Sequence, residues 1–127
     1  MSTTARQTYI PTSLPLRSRK AIFLQNVKEV ILQNMDNQHF DVAQLARKVF
    51  LSTSQLNRRL NALIGCSAGQ LIRDIRMRHA ANLLLNASMS IGNVAFEVGY
   101  INQANFCRCF KQWAGCSPRA FSKRRSH

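Results

Sequence analysis

The side chains of this chain that could do chemistry are mainly cationic and hydrogen-bonding groups suited to a polyanion. Eighteen Lys and Arg stand against five Asp and Glu, so the 127 residues carry a formal net charge of +13. Most of the cations are Arg, whose planar guanidinium can bind a phosphate or a guanine edge through two hydrogen bonds. Such an excess of positive charge is typical of a protein that binds nucleic acid.

Patterns for catalysis and metal binding are missing from the sequence. The five acidic residues are scattered, and there is neither a glycine-rich phosphate loop nor a nucleophile with a base beside it. The four cysteines, Cys66, Cys107, Cys109 and Cys116, form no CxxC motif and have no histidine at a zinc-finger interval. We therefore expect no catalytic site, no metal ion and no cofactor, and we expect reduced, mostly buried cysteines of a cytoplasmic protein.

Residues 1–20 predict a linker or disordered tail ahead of a folded part that comprises residues 21–127. The tail is rich in Thr, Ser and Pro and has no periodicity. Apolar residues then recur at three- and four-residue steps from Ile22 to Met35, which predicts a helix with one buried face. No segment has the roughly 18 consecutive apolar residues of a membrane span, so we expect no contact with a membrane.

Two short helices joined by a tight turn are predicted over residues 41–64. Asp41 can cap the first helix, and Ser52 with Gln55 three residues later can form the capping box of the second. The second helix keeps its leucines on one side and polar and basic residues on the other. This is the helix-turn-helix pattern, whose second helix enters the major groove of DNA.

The same layout recurs over residues 90–114, where Ser90 and Asn102 are the predicted caps. The offset between the copies is 49 residues before the turn and 50 after it, so Arg108 matches Arg58. A longer helix is predicted between the copies, over residues 68–86, in which Asp74 and Arg78 are spaced to form an ion pair. The sequence thus predicts an all-α, homeodomain-like fold of about seven helices, with two helix-turn-helix subdomains joined by a long central helix.

Residues 40–122 resemble the DNA-binding domain of the AraC family of bacterial transcription regulators. The segments that carry the resemblance include LSTSQLNR (51–58), GCS (65–67), IRMR (75–78), VAFEVGY (94–100), NFCRCFK (105–111) and GCSP (115–118). Ala114 departs from the family, which usually has a large aromatic or apolar residue there. The sequence of the first helix pair is similar to that of the output domains of hybrid two-component sensors.

The resemblance implies a transcription regulator without catalytic activity that binds double-stranded DNA in the cytoplasm. RNA polymerase and an upstream sensor or receiver domain are the further partners that it implies. The two recognition helices are expected to read two successive major-groove segments. The alternative is a basic protein that coats nucleic acid without sequence preference, although the Phe residues fall at core spacings and not as an exposed stacking row.

The outward residues of the two recognition helices are the expected base contacts. Arg58 and Arg108 suit guanine, Asn57 and Gln103 suit adenine, and Ala104 suits a thymine methyl group. The full set is Ser54, Asn57, Arg58, Gln103, Ala104, Cys107 and Arg108. A phosphate contact is the alternative for the two arginines, and a partly buried packing role is the alternative for Cys107.

Expected contacts to the DNA backbone lie at helix starts, on outer faces and in the basic C-terminal tail. They are Ser52, Thr53, Arg59, Asn61, Asn102, Lys111, Arg119, Lys123, Arg124 and Arg125. Such contacts supply affinity and register but little sequence information. Because its outer face is more polar, we expect the first helix-turn-helix to supply most base discrimination and the second to supply grip and spacing.

Overall fold

The computed structural model describes residues 14–124, and within them the chain forms seven helices and no strand. In chain order they are α1 (Leu16–Gln33), α2 (Val42–Lys48), α3 (Thr53–Ile64), α4 (Ala68–Asn86), α5 (Ile91–Glu97), α6 (Gln103–Ala114) and α7 (Pro118–Ser122). The predicted all-α class and helix number are confirmed. Residues 1–13 of the predicted tail and Arg125 lie outside the described residues.

Helix α1 starts earlier than its apolar pattern indicates, so the predicted tail over residues 1–20 is wrong for residues 16–20. Pro15 precedes the first turn, and its carbonyl accepts the amide of Arg19 at 3.0 Å. The Arg19 side chain also donates from Nε to the Leu14 carbonyl at 3.0 Å. This first turn is exposed or half-buried, so it adds nothing to the buried stripe from which the helix was predicted.

Side-chain caps fix where the short helices begin. Each of the four predicted caps accepts the amide of the residue three positions later, at distances of 2.9 to 3.1 Å: Asp41, Ser52, Ser90 and Asn102. At α3 the Gln55 side chain also accepts the Ser52 amide at 2.9 Å, which completes the predicted capping box. Because the first amides of a helix lack intrahelical acceptors, each cap stabilises its helix by about 1 kcal/mol.

The chain divides into two compact units, each with its own core. Among the described residues, unit 1 comprises 14–34 and 40–72, and unit 2 comprises 35–39 and 73–124. The buried side chains of unit 1 come mainly from α1, α2, α3 and the start of α4 and include Val27, Ile31, Leu45, Leu56, Leu60 and Leu71. Those of unit 2 include Met35, Met77, Leu84, Val94, Phe106 and Phe110. No helix of residues 14–124 is long and apolar enough to cross a membrane.

Candidate nucleic-acid interface

Helix α3 buries one face in the core of unit 1 and exposes polar side chains on the other. Its residues Leu56 and Leu60 are fully buried, and the helix contacts both α1 and α2. Ser54 and Arg58 are exposed, as predicted. Arg58 has no hydrogen-bond or ion-pair partner among residues 14–124, so its guanidinium is free to donate to a ligand.

Asn57 lies in a different environment from its neighbours on α3. The residue is half-buried, and its Oδ1 accepts the backbone amide of Ala68 at 2.8 Å. Asn57 therefore differs from the exposed Ser54 and Arg58, because the end of its side chain is held by the first residue of α4. Pairing with adenine uses the same amide group, so such a contact would require this hydrogen bond to break.

Helix α6 exposes Gln103, Ala104 and Arg108, as predicted, while it buries Phe106 and Phe110. Gln103 leans back toward α5, since a Cβ at Gly92 would lie 2.9 Å from its Oε1.

Cys107 on the same helix is half-buried and packs against the core of unit 2. This placement supports the packing alternative for Cys107 over a base contact.

The guanidinium of Arg108 is held by its own helix. Its Nη2 donates to Oδ1 of Asn105 at 2.9 Å. In unit 1 the residue that corresponds to Asn105 is Gln55, whose side chain serves the capping box instead. The two arginines that the sequence repeat makes equivalent therefore differ: Arg108 is tethered and Arg58 is not.

All predicted backbone contacts within residues 14–124 are exposed: Ser52, Thr53, Arg59, Asn61, Asn102, Lys111, Arg119, Lys123 and Arg124. Two of their cations also rest on aromatic rings. Arg59 lies over Phe23 with its Cζ 5.2 Å from the ring centroid, and Arg124 lies over Phe121 at 4.9 Å. These contacts orient the guanidinium groups on the surface of each unit.

Unit 1 has two further cations beside Arg59 that the sequence analysis did not include as contacts. A cavity of about 370 Å³ lies between α1 and α3, with a largely apolar lining and Arg19, Lys20 and Arg59 among its residues. The signal was present in the basic run at residues 17–20, but that run was assigned to the tail. The helical start of α1 places these cations beside the recognition helix.

A half-buried arginine anchors the middle of unit 2. Arg76 donates from Nη2 to the Asn37 carbonyl at 3.1 Å, and its Cζ lies 6.0 Å from the ring centroid of Tyr100. Burial lowers the pKa of Arg76. Burial, with Cys109 beside the phenol, raises the pKa of Tyr100 to about 12. These groups face the interior of unit 2 and have a structural role.

The predicted ion pair on α4 is confirmed, with Arg78 Nε 2.8 Å from Asp74 Oδ2. The other oxygen of Asp74 accepts the indole Nε1–H of Trp113 at 2.9 Å. Asp74 therefore links α4 to the end of α6 within unit 2, which supports a structural role for this charged cluster.

None of the four cysteines, all of which lie within residues 14–124, forms a disulfide, and all four are half-buried, so the expectation of mostly buried cysteines is wrong. Cys66 and Cys116 each follow the glycine that ends a recognition helix, a place that solvent reaches. Among residues 14–124, no three His, Cys, Asp or Glu side chains are grouped as metal ligands would be.

Comparison with known proteins identifies the family. A family model described as a helix-turn-helix domain matches residues 45–124. The arabinose operon regulatory protein of Salmonella typhimurium (strain LT2) is 33% identical over 107 residues, which are 84% of this chain and 37% of that protein. The chain belongs to the AraC family.

Solved AraC-type structures share the fold of this chain. The C-terminal domain of AraT, a response regulator from Geobacillus stearothermophilus, matches with a TM-score of 0.76 and 28% identity over 81% of this chain and 85% of that one. The DNA-binding domain of the global transcriptional factor AdpA, solved in complex with a target DNA, matches with a TM-score of 0.73 and 27% identity over 80% of this chain and 90% of that one. This AraC-type chain spans 8% to 37% of the length of the first curated relatives that it matches.

Proposed function

We propose that this chain is the sequence-specific DNA-binding part of a transcription regulator, with α3 and α6 as its recognition helices. The observation that carries the proposal is the doubled helix-turn-helix, in which each second helix exposes polar and basic residues above a fully buried face. The net charge of +13 supports a polyanionic partner. Membership of the AraC family supports DNA as that partner.

Base edges are read, in this proposal, by exposed residues of the two recognition helices: Ser54, Arg58, Gln103, Ala104 and Arg108. Arg58 and Arg108 donate to O6 and N7 of guanine, because their guanidinium forks match that pair of acceptors. The exposed backbone set described above binds phosphates, and Arg19 and Lys20 extend it along α1. Cys107 packs against the core.

Further partners of the full regulator are proposed on the family resemblance. We assign to it an upstream sensor or receiver domain, a proposal supported by the similarity to the response regulator AraT, and RNA polymerase at the promoter. The chain would act in the cytoplasm, where bacterial promoters lie, without catalysis and without a cofactor.

Selection from a random pool of duplex DNA by the whole chain tests the proposal. The selected site should be bound at least about a thousandfold more tightly than a scrambled duplex at the same salt concentration. A ratio near one would instead identify a protein that coats nucleic acid without sequence preference. The selected site also reveals whether one or both recognition helices read bases, since two readers produce two conserved blocks.

A further inference from the structure

We propose that Asn57 is a positioning residue, which holds the recognition helix α3 against the start of α4 and does not read a base. This inference rests on the proposed function, because it specifies how α3 is kept in its reading orientation. The matching position of unit 2, Cys107, needs no such bond because Pro118 removes the donor.

The hydrogen bond between Asn57 and Ala68 supplies an acceptor that the fold otherwise lacks. Ala68 is the first residue of α4 and is fully buried, so its amide has neither an intrahelical acceptor nor access to water. The Oδ1 of Asn57 accepts this amide at 2.8 Å, from 11 residues earlier in the chain. A buried amide that loses its acceptor destabilises the fold, so the bond is a strong constraint on both helices.

The cap of α4 cannot replace Asn57. Ser67 accepts the amide of Gln70 at 3.2 Å, and the Gln70 side chain accepts the Ser67 amide at 2.8 Å. This reciprocal pair satisfies the amides of Ser67 and Gln70 and leaves the Ala68 amide to the recognition helix.

Unit 2 needs no acceptor at the matching position, because the first residue of its last helix has no amide hydrogen. Ser117 accepts the amide of Ala120 at 3.1 Å, as Ser67 does for Gln70. The residue that matches Ala68 at the offset of 50 is Pro118, which is buried at the first position of α7. Proline has no amide hydrogen and is favoured at this helix position. Donor and acceptor are thus absent together, and Cys107 packs against the core instead.

The position of the bond explains how it acts on DNA reading. Asn57 adjoins Arg58, and it ties the middle of α3 to α4 beyond the left-handed turn at Gly65, where φ is +70°. Loss of the tie lets α3 rotate about its axis, which changes the direction in which Ser54 and Arg58 point. Discrimination between bases should suffer more than phosphate affinity, because phosphate contacts tolerate small displacements.

A double-mutant cycle on the whole chain tests the coupling, with Asn57→Cys, Ala68→Pro and the double variant. Asn57→Cys leaves the Ala68 amide without an acceptor, and Ala68→Pro places the proline ring against Oδ1. Each single variant should lower the Tm and reduce the ratio of selected-site to scrambled-site affinity by roughly tenfold. The double variant, which copies unit 2, should recover most of both losses. Losses that simply add would overturn the proposed pairing.

Asn57→Asp separates positioning from base reading. Aspartate keeps the acceptor for Ala68 but loses the amide donor that pairing with adenine requires. We expect the Tm to be kept and repeated selection to return the same bases, with affinity lowered evenly by the added negative charge. A changed base at one position of the selected site would show that Asn57 reads DNA and would overturn the proposal.

Failure of DNA recognition and failure of the positioning role of Asn57 give different experimental results. A wild-type chain without sequence preference would overturn the proposed function, and with it any role of Asn57 in reading. Recovery of the Tm in the double variant without recovery of the affinity ratio would make the bond a stability element alone and would overturn its positioning role.

Discussion

The turns of the two helix-turn-helix units adopt the same left-handed backbone with very different residues. Phe50 has φ of 60° in the turn of unit 1, and Gly99 has φ of 91° at the matching place in unit 2. The Phe50 side chain is 70% exposed. At Gly99, in contrast, a Cβ would lie 2.5 Å from the carbonyl oxygen of Met35 and 3.0 Å from Nη2 of Arg76. One turn is open to solvent and the other is covered.

The two turns therefore share a left-handed backbone conformation, and the packing around each turn determines which residue it can contain. A left-handed conformation costs a non-glycine residue about 1–2 kcal/mol, which the turn of unit 1 tolerates because nothing excludes its side chain. The turn of unit 2 must also accommodate the segment 35–39, so glycine is required there for space as well as for conformation.

The largest effect should come from Gly99→Ala, which adds a side chain where the turn of unit 2 is covered. We expect the free energy of unfolding to fall by about 3 kcal/mol, because conformational strain and a clash with backbone combine. Thermal unfolding measures the loss, and hydrogen exchange at α5 and α6 locates it. Gly115→Ala is the matched control: φ there is 84° but no atom lies within 4 Å of an added Cβ, so about 1 kcal/mol should be lost. Equal losses of unfolding free energy in the two variants would contradict the conclusion that surrounding atoms leave no space for a side chain at Gly99.

The two equivalent arginines should both contribute to the affinity and the sequence preference of DNA binding. Arg58→Ala and Arg108→Ala should each weaken binding to the selected site by about 1–3 kcal/mol and relax its sequence there. Equal losses on random DNA would assign both to phosphates. Lys111→Ala is the control that should weaken binding evenly and reduce the salt slope by about 1.

The relative size of those two losses tests which recognition helix discriminates more. The sequence predicts a larger loss for Arg58, on the more polar face. The tether of Arg108 to Asn105 acts in the opposite direction, because a side chain already held in place loses less entropy on binding. A larger loss for Arg108 would overturn the predicted lead of the first helix-turn-helix.

Removal of the caps of the two recognition helices should produce a smaller difference in the free energy of unfolding. The double variant Ser52→Ala/Gln55→Ala removes both hydrogen bonds of a capping box, because Ser52→Ala alone keeps the backbone amide that the Gln55 side chain accepts. Asn102→Ala removes a single side-chain acceptor. Both variants should lower the free energy of unfolding by about 1 kcal/mol in chemical denaturation, with the larger loss in the Ser52/Gln55 double variant. A larger loss at Asn102 would contradict this order.

The smallest change should be a gain, from Phe50→Gly. Glycine removes the left-handed strain but adds freedom to the unfolded chain, so we expect a net gain of a few tenths to about 1 kcal/mol in the free energy of unfolding. Phe50→Ala keeps the strain and should change stability little. A clear loss in both variants would mean that the exposed ring contributes to the fold.

The sequence by itself determined the helices, their caps and the repeat. Periodicity and capping depend on residues within three or four positions of one another, so Asp41, Ser52, Ser90 and Asn102 could be identified as caps and Arg58 as an outward residue. The start of α1 was missed because its first turn is not buried and leaves no apolar signal.

The tertiary structure alone decided which polar groups are already occupied. Asn57 is bound to Ala68, 11 residues away, Trp113 donates to Asp74 from 39 residues away, and Arg108 is tethered where Arg58 is free. Local patterns carry no information about partners at such separations, and two equivalent places in a repeat look alike until their surroundings are known. The polar side chains that each recognition helix can offer to DNA are therefore those that have no hydrogen-bond partner in the rest of its unit.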